Sequence, residues 1–183
     1  QGEEHLGRMT MAALLKKSYT GITVEMAGED VCVVSLNRPE TLNALNMDMT
    51  FELLEFFSSL ETSELLENEP KLTPRVIVLR GNGKAFCAGL DIGGGSKLDR
   101  DNDIAAFNFQ RRIAQIILVM RRIKQPIIGL VQGPACGGGL AFALACDVRL
   151  ATENARFNVA MAKIGTWPLS MVLPIKNRIT RCR

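Results

Sequence analysis

Three consecutive glycines at 137–139 separate a β-branched segment from an apolar one, and no other part of the sequence constrains the fold as strongly. Residues 127–131 are typical of a buried strand, and residues 140–146 are apolar on all sides, as in a helix inside a core. The glycines remove every side chain at the turn, so a ligand or another main chain can approach the backbone closely. This segment predicts a strand–turn–helix unit.

The rest of the chain alternates between strand and helix patterns. Two β-branched runs joined by the polar residues 27–30 predict a hairpin. Apolar residues at helical spacing predict two long helices, the first with Asn46 as its N-cap. The order β-β-α-β-α-β-α-β indicates an α/β fold with crossovers. Strands are predicted at 22–26, 31–36, 75–80, 127–131 and 148–151, and helices at 47–66, 104–123 and 140–146.

The glycine turn has a chemical consequence at the start of the helix that follows it. The first N–H groups of a helix have no partner within the helix, and that end carries partial positive charge. A second turn, at 86–91, follows the strand predicted at 75–80. Two amides directed at one carbonyl oxygen would form an oxyanion hole. The alternative interpretation of a triple glycine is a tight turn or close helix packing.

Nucleotide-binding motifs do not fit these glycines. In the dinucleotide motif GxGxxG, the third glycine would fall at Phe142 for the cluster at 137–139. It would fall at Phe86 for Gly81 and Gly83. Gly95 precedes Ser96-Lys97, but the earlier glycine of a phosphate-binding loop is missing at the required spacing.

Composition excludes several other classes of function. The chain has 22 basic and 19 acidic residues, a net charge of +3, which is too balanced to predict nucleic-acid binding. No apolar run approaches the ~20 residues of a membrane span. Because His5 is the single histidine, histidine-based triad chemistry has almost no support. The five cysteines have no metal-ligand spacing and are typical of reduced, intracellular thiols; they are Cys32, Cys87, Cys136, Cys146 and Cys182.

The sequence divides into three predicted segments. Residues 1–19 form a poorly defined N-terminal extension without an apolar signal-peptide region. Residues 20–165 form the core, and residues 166–183 form a divergent basic tail. We expect a soluble, intracellular protein, and the sequence does not distinguish mitochondrial, peroxisomal and cytosolic compartments.

Four ordered blocks resemble the crotonase (enoyl-CoA hydratase/isomerase) superfamily. The first runs from Leu36 to Asn46 (LNRPETLNALN), and the second is AFCAGLD at 85–91. The third is QGPACGGG at 132–139 with ACD at 145–147, and NARF at 154–157 continues the register. The resemblance implies a crotonase-like spiral of ββα units in which the two glycine turns face each other.

The resemblance also implies a site for an acyl-CoA thioester. The backbone N–H groups of Leu90 and Gly138 would be the two oxyanion donors that stabilise a CoA enolate. No cofactor is expected, since coenzyme A is part of the substrate. For Arg38 a surface charge is the alternative, and for Asp91 a structural cap. The implied substrate-binding residues are Arg38, Leu42, Ala88, Leu90, Asp91, Ile92, Gly137 and Gly138.

The sequence departs from the family pattern at the acid/base positions. The hydratases use two glutamates, and Ala141 and Met161 occupy those positions here. Neither side chain can transfer a proton, which general acid/base catalysis requires. The nearest polar side chains in the matching region are Asn158 and Lys163.

The resemblance to the family also ends at residue 165, before the C-terminus of the chain. Family members have C-terminal helices that complete the acyl pocket and the contacts of a homotrimer or hexamer, and residues after 165 have no counterpart to them. Three hypotheses therefore stand. The chain is an acyl-CoA enzyme of the hydratase/isomerase type, a non-catalytic acyl-CoA binder or truncated isoform, or a thioester hydrolase or decarboxylase of the same fold.

Overall fold

A computed structural model describes residues 14–15, 17–64, 74–91 and 103–159 of the chain. Five strands form the main sheet, in the order β1-β2-β3-β4-β6, and two short strands, β5 and β7, form a second sheet. In chain order the elements are β1 (Ile22–Ala27), β2 (Val31–Leu36), α1 (Met47–Glu64), β3 (Val76–Gly81), α2 (Asp103–Met120), β4 (Ile127–Val131), β5 (Pro134–Cys136), α3 (Gly138–Ala145), β6 (Val148–Ala151) and β7 (Arg156–Asn158).

The main sheet confirms the predicted α/β class. β1 and β2 form the expected antiparallel hairpin, with Ile22 opposite Leu36, and Gly28 in its turn has a φ of 76°. Every other neighbouring pair of strands in this sheet is parallel. Parallel pairs require long crossover connections, and α1 and α2 provide two of them.

One face of the main sheet forms part of the core. Alternate residues of β3 are buried, and Ile77 pairs with Cys32 on one side and with Ile127 on the other. All three side chains are fully buried. Because side chains alternate between the two faces of a strand, this register puts one apolar row against the helices.

The ends of the helices lie close to the predicted positions. Asn46 Oδ1 accepts a hydrogen bond from Met49 N at 2.9 Å, which confirms the predicted N-cap of α1. α2 ends at Met120, slightly before the predicted end at residue 123. α3 begins at Gly138 rather than at residue 140. Two of the three glycines are therefore helical, and at Gly139 the helix start packs against the Cys87 carbonyl at a distance that only glycine permits.

Large aromatic side chains fill the space between helices and sheet. Phe56 and Phe57 of α1 are completely buried and meet edge to face, with ring centroids 5.2 Å apart. Phe109 of α2 and Phe142 of α3 join the same core. Burying each such side chain contributes about 1.5–3 kcal/mol before entropy is counted.

The parallel strands also determine where their loops meet. β2, β3 and β4 run in the same direction, so their carboxyl ends lie at one edge of the sheet. The segments that leave this edge are residues 37–46, 82–91 and 132–137, the last of which includes β5. Ligands of open α/β sheets bind outside the carboxyl ends of the strands, so this edge holds the candidate site.

Parts of the earlier prediction lie outside the described residues. These parts include residues 1–13, the tail at 166–183, Ile92, Met161 and Lys163. Among the helices that are described, none is both long enough and apolar enough to cross a membrane.

Candidate functional site

The first turn of the candidate site lies against the loop that follows β2. Leu45 N donates to Gly89 O at 2.7 Å, and Asp91 N donates to Leu45 O at 3.0 Å. In this parallel bridge Leu45 uses both of its backbone groups, so Leu90, opposite it, directs its own N–H and C=O away from Leu45. Within the described residues, the Leu90 N–H donates to no acceptor.

The second turn lies between β5 and α3. Gly137 has φ 51° and ψ −117°, a backbone conformation that side chains rarely adopt. Its N–H donates to Asn158 O at 3.0 Å, and its C=O accepts from Ala141 N at 3.0 Å. Gly138 is the first residue of α3, and no described acceptor binds its N–H. The positive end of the α3 dipole lies at this amide.

Close backbone contact joins the two turns. A Cβ on Gly89, which has a φ of 94°, would lie 2.7 Å from Cys136 O and 3.6 Å from Gly137 Cα. A Cβ on Gly139 would lie 2.3 Å from Cys87 O. Real Cβ atoms do not approach so closely, so glycine at both positions is what lets the turns touch. The structure therefore brings together the two glycine turns that the sequence predicted.

Two amide side chains brace the loop that carries the first turn. Gln132 Nε2 lies 2.7 Å from Gly81 O and 3.0 Å from Ala85 O. Asn43 Nδ2 also lies 2.9 Å from Ala85 O. Sequence reasoning missed both residues. Asn43 has a φ of 56°, and an asparagine four residues after Pro39 is the signal that was present, since asparagine tolerates this conformation.

Arg38 and Asp91 form an ion pair. Arg38 Nη1 lies 3.0 Å from Asp91 Oδ2, with the two side chains 14% and 8% exposed. The same nitrogen donates to Ala44 O at 2.6 Å. The sequence predicted both residues as substrate-binding, and in the structure their charged groups pair with each other.

The side chains nearest the second turn are apolar. A Cβ on Gly138 would meet Leu45 Cδ1 at 2.8 Å and Ile113 Cδ1 at 3.7 Å. Ala141, one turn further along α3, is 5% exposed. Leu42 is 44% exposed at the outer side of the loop after β2. An apolar surrounding strengthens the interaction of an anion with fixed N–H dipoles.

Burial raises the pKa of one thiol in the first turn and of another at the far end of α3. Burial raises the pKa of the Cys87 thiol to about 12, although a hydrogen bond from the Gly89 backbone opposes part of the shift. The pKa of Cys146, at the end of α3, is also raised to about 12, mainly by burial. Both thiols therefore stay protonated at neutral pH and pack as small apolar groups.

These thiols predict a loss of stability at alkaline pH. Between pH 9 and 12 the unfolded chain releases the Cys87 proton while the folded chain retains it. The folded state then binds more protons, so the free energy of unfolding falls as pH rises, by about 1.4 kcal/mol per pH unit for each thiol. Urea unfolding at pH 9.5, 10 and 10.5 measures this slope. Cys87→Ala should reduce the slope by about 1.4 kcal/mol per unit, and an unchanged slope would contradict the prediction.

Comparison with known proteins identifies related chains. Residues 26–181 match the family model described as enoyl-CoA hydratase/isomerase. The (E)-benzylidenesuccinyl-CoA hydratase of Thauera aromatica is 36% identical over 146 residues, which are 79% of this chain and 52% of that protein.

Solved structures agree with the sequence relatives. An enoyl-CoA hydratase from Mycobacterium smegmatis superposes with a TM-score of 0.70 at 29% identity, covering 82% of this chain and 55% of that one. An enoyl-CoA hydratase/carnithine racemase from Magnetospirillum magneticum gives 0.69 at 33% identity, covering 82% and 53%.

These matches cover most of this chain but only part of each relative. The chain spans about half the length of the curated relatives it matches. The family model nevertheless covers most of this chain, and the solved structures share its parallel sheet. The chain belongs to the enoyl-CoA hydratase/isomerase family, the crotonase superfamily.

Proposed function

We propose that this chain binds an acyl-CoA thioester and stabilises its enolate with the backbone N–H groups of Leu90 and Gly138. One observation carries the proposal: two glycine turns touch each other, and each has an amide hydrogen without a described acceptor. Gly138 is buried and Leu90 is half-buried, and a buried N–H without an acceptor costs free energy unless a ligand or water satisfies it. The thioester oxygen is the acceptor that fits the family.

The proposed chemistry depends on charge that develops during reaction. When an α-proton leaves, or a nucleophile adds at Cβ, negative charge moves to the thioester oxygen. Donors fixed in advance stabilise that charge without reorganising, and removing one such donor costs about 2.7–4 kcal/mol in precedents. The α3 N-terminus adds its dipole at Gly138. Leu45 and Ile113 keep the surroundings of that amide apolar.

A non-catalytic acyl-CoA binder is the second candidate function, and Ala141 favours it. This residue occupies a position where the family's hydratases have a glutamate, and its methyl group is buried. Enolate stabilisation without a proton-transferring group would give binding but little turnover. Incubation of the folded chain with crotonyl-CoA separates the candidates: loss of the conjugated double bond identifies a hydratase, and binding with both the double bond and the thioester intact favours a binder.

Acyl-CoA binding should raise the melting temperature of the chain. A ligand present at 100 times its Kd stabilises the folded state by about 2.7 kcal/mol, which corresponds to about 5–10 °C for a chain of this size. Differential scanning fluorimetry with butyryl-CoA measures the shift. Free CoA, which lacks the thioester carbonyl, is the control and should stabilise less. Equal melting temperatures with and without butyryl-CoA would contradict the proposal.

A further inference from the structure

The Arg38–Asp91 ion pair joins two loops of the candidate site that are far apart in sequence. Arg38 is anchored at two further points, since its backbone N donates to Asn43 Oδ1 at 2.9 Å and its Nη1 donates to Ala44 O. The pair therefore links the loop after β2 to the residue that directly follows Leu90. Its side chains are mostly buried, so solvent screens the pair less than a surface ion pair.

We propose that Arg38 and Asp91 are positioning residues that hold the Leu90 N–H in the direction required to bind the thioester oxygen. This inference rests on the proposed function. In this role neither side chain needs to contact the acyl group. Arg38 acts on Asp91, and Asp91 fixes the orientation of the peptide that carries the donor.

The contacts of Asp91 explain how the pair acts. Its backbone N–H donates to Leu45 O at 3.0 Å, and its carboxylate accepts from Arg38. The main chain and the side chain of Asp91 are thus held by the same loop, immediately after Leu90. On the other side of Leu90, Gly89 O accepts from Leu45 N. Without the ion pair, the backbone bond from Asp91 N to Leu45 O is the contact of Asp91 that remains among the described residues.

A direct effect of charge gives a different expectation, which makes the inference testable. If Asp91 influenced an enolate only through its negative charge, removing that charge would stabilise the enolate. Removing the positive charge of Arg38 would do the opposite. Positioning predicts that both neutral substitutions weaken enolate binding, because either one breaks the same link.

The probe is acetoacetyl-CoA, a thioester that ionises readily to an enolate with its own ultraviolet absorbance. We expect the wild-type chain to lower the pH at which half of the bound ligand is enolate, relative to the free ligand. Arg38→Gln and Asp91→Asn should both raise that midpoint, by about one pH unit, the equivalent of a tenfold loss. Shifts of opposite sign, or wild-type midpoints in folded variants, would overturn the inference.

Two further variants and the wild-type result keep the outcomes separate. Asp147→Asn is the control and breaks the 2.9 Å Arg121–Asp147 ion pair. Asp147 accepts a hydrogen bond from the backbone N of Ile127 at the start of β4, at the opposite end of the sheet from the candidate site. The midpoint of the bound ligand should therefore not move in this variant. If Asp91→Asn does not fold, Arg38→Lys replaces it and should give a midpoint between wild type and Arg38→Gln. A wild-type chain that leaves the ligand's midpoint unchanged disproves the proposed function, and this inference with it.

Discussion

Replacing Gly138 by proline should weaken binding of the acetoacetyl-CoA enolate by about 100- to 1000-fold, the cost of deleting one oxyanion donor. Proline has no backbone N–H, so the substitution removes the proposed donor itself. Gly138 is the first residue of α3, and that is the helical position at which proline is best tolerated. Ultraviolet titration of the ligand with the folded variant measures the loss.

Gly138→Ala is the matched control for this experiment. It adds a Cβ at the same place, 2.8 Å from Leu45 Cδ1, but keeps the N–H. The contacted atom is the end of a flexible side chain, so a small rotation of Leu45 relieves the contact. We expect enolate affinity within about tenfold of wild type, well above that of the proline variant. If a folded Gly138→Pro chain binds the enolate as tightly as Gly138→Ala, Gly138 is not a donor.

Replacing Gly139 by alanine should lower the free energy of unfolding by about 3 kcal/mol, the upper end of the usual cost of overpacking. The new Cβ would lie 2.3 Å from Cys87 O and 2.6 Å from Cys87 Cβ. Both atoms belong to the buried bridge between Cys87 and Ala135. Backbone cannot rotate aside as a side chain can, so α3 or the bridge must shift. Urea unfolding at pH 7 measures the loss.

Gly138→Ala is the comparison for Gly139→Ala. Alanine in place of glycine stabilises a helix by roughly 0.5–1 kcal/mol, and this gain applies to Gly138→Ala and Gly139→Ala alike. The two variants therefore differ mainly in what the added methyl group meets. We expect Gly138→Ala to remain close to wild type in stability. Equal stability of the two variants would mean that the contact with Cys87 does not require glycine.

Short-range patterns in the sequence predicted most of the elements around the site. The Asn46 cap, the hairpin between β1 and β2, and the β-branched runs of β3 and β4 are local signals, and each is confirmed. β5 and β7 were not predicted. Each has three residues, too few for alternation to be visible, and each exists because the other pairs with it.

The roles of Gln132 and Asn43 could not be predicted from the sequence either, because their hydrogen-bond partners lie far away along the chain. Gln132 binds carbonyl groups about 50 positions earlier in the chain, and Asn43 binds one 42 positions later. No local pattern marks a side chain for such a partner. Their role follows from the parallel order of β2, β3 and β4, which brings the loops after these strands to one edge.

The sequence by itself determined the family, the α/β class and the two glycine turns, because these depend on local residue patterns and on short motifs in a fixed order. Tertiary structure alone decided that Gly89 faces Cys136, that Gly139 packs on Cys87, and that the charge of Arg38 is directed to Asp91. Contacts of this kind depend on distances between strands and loops that are separated by about 50 residues. Those distances exist only after the sheet has formed.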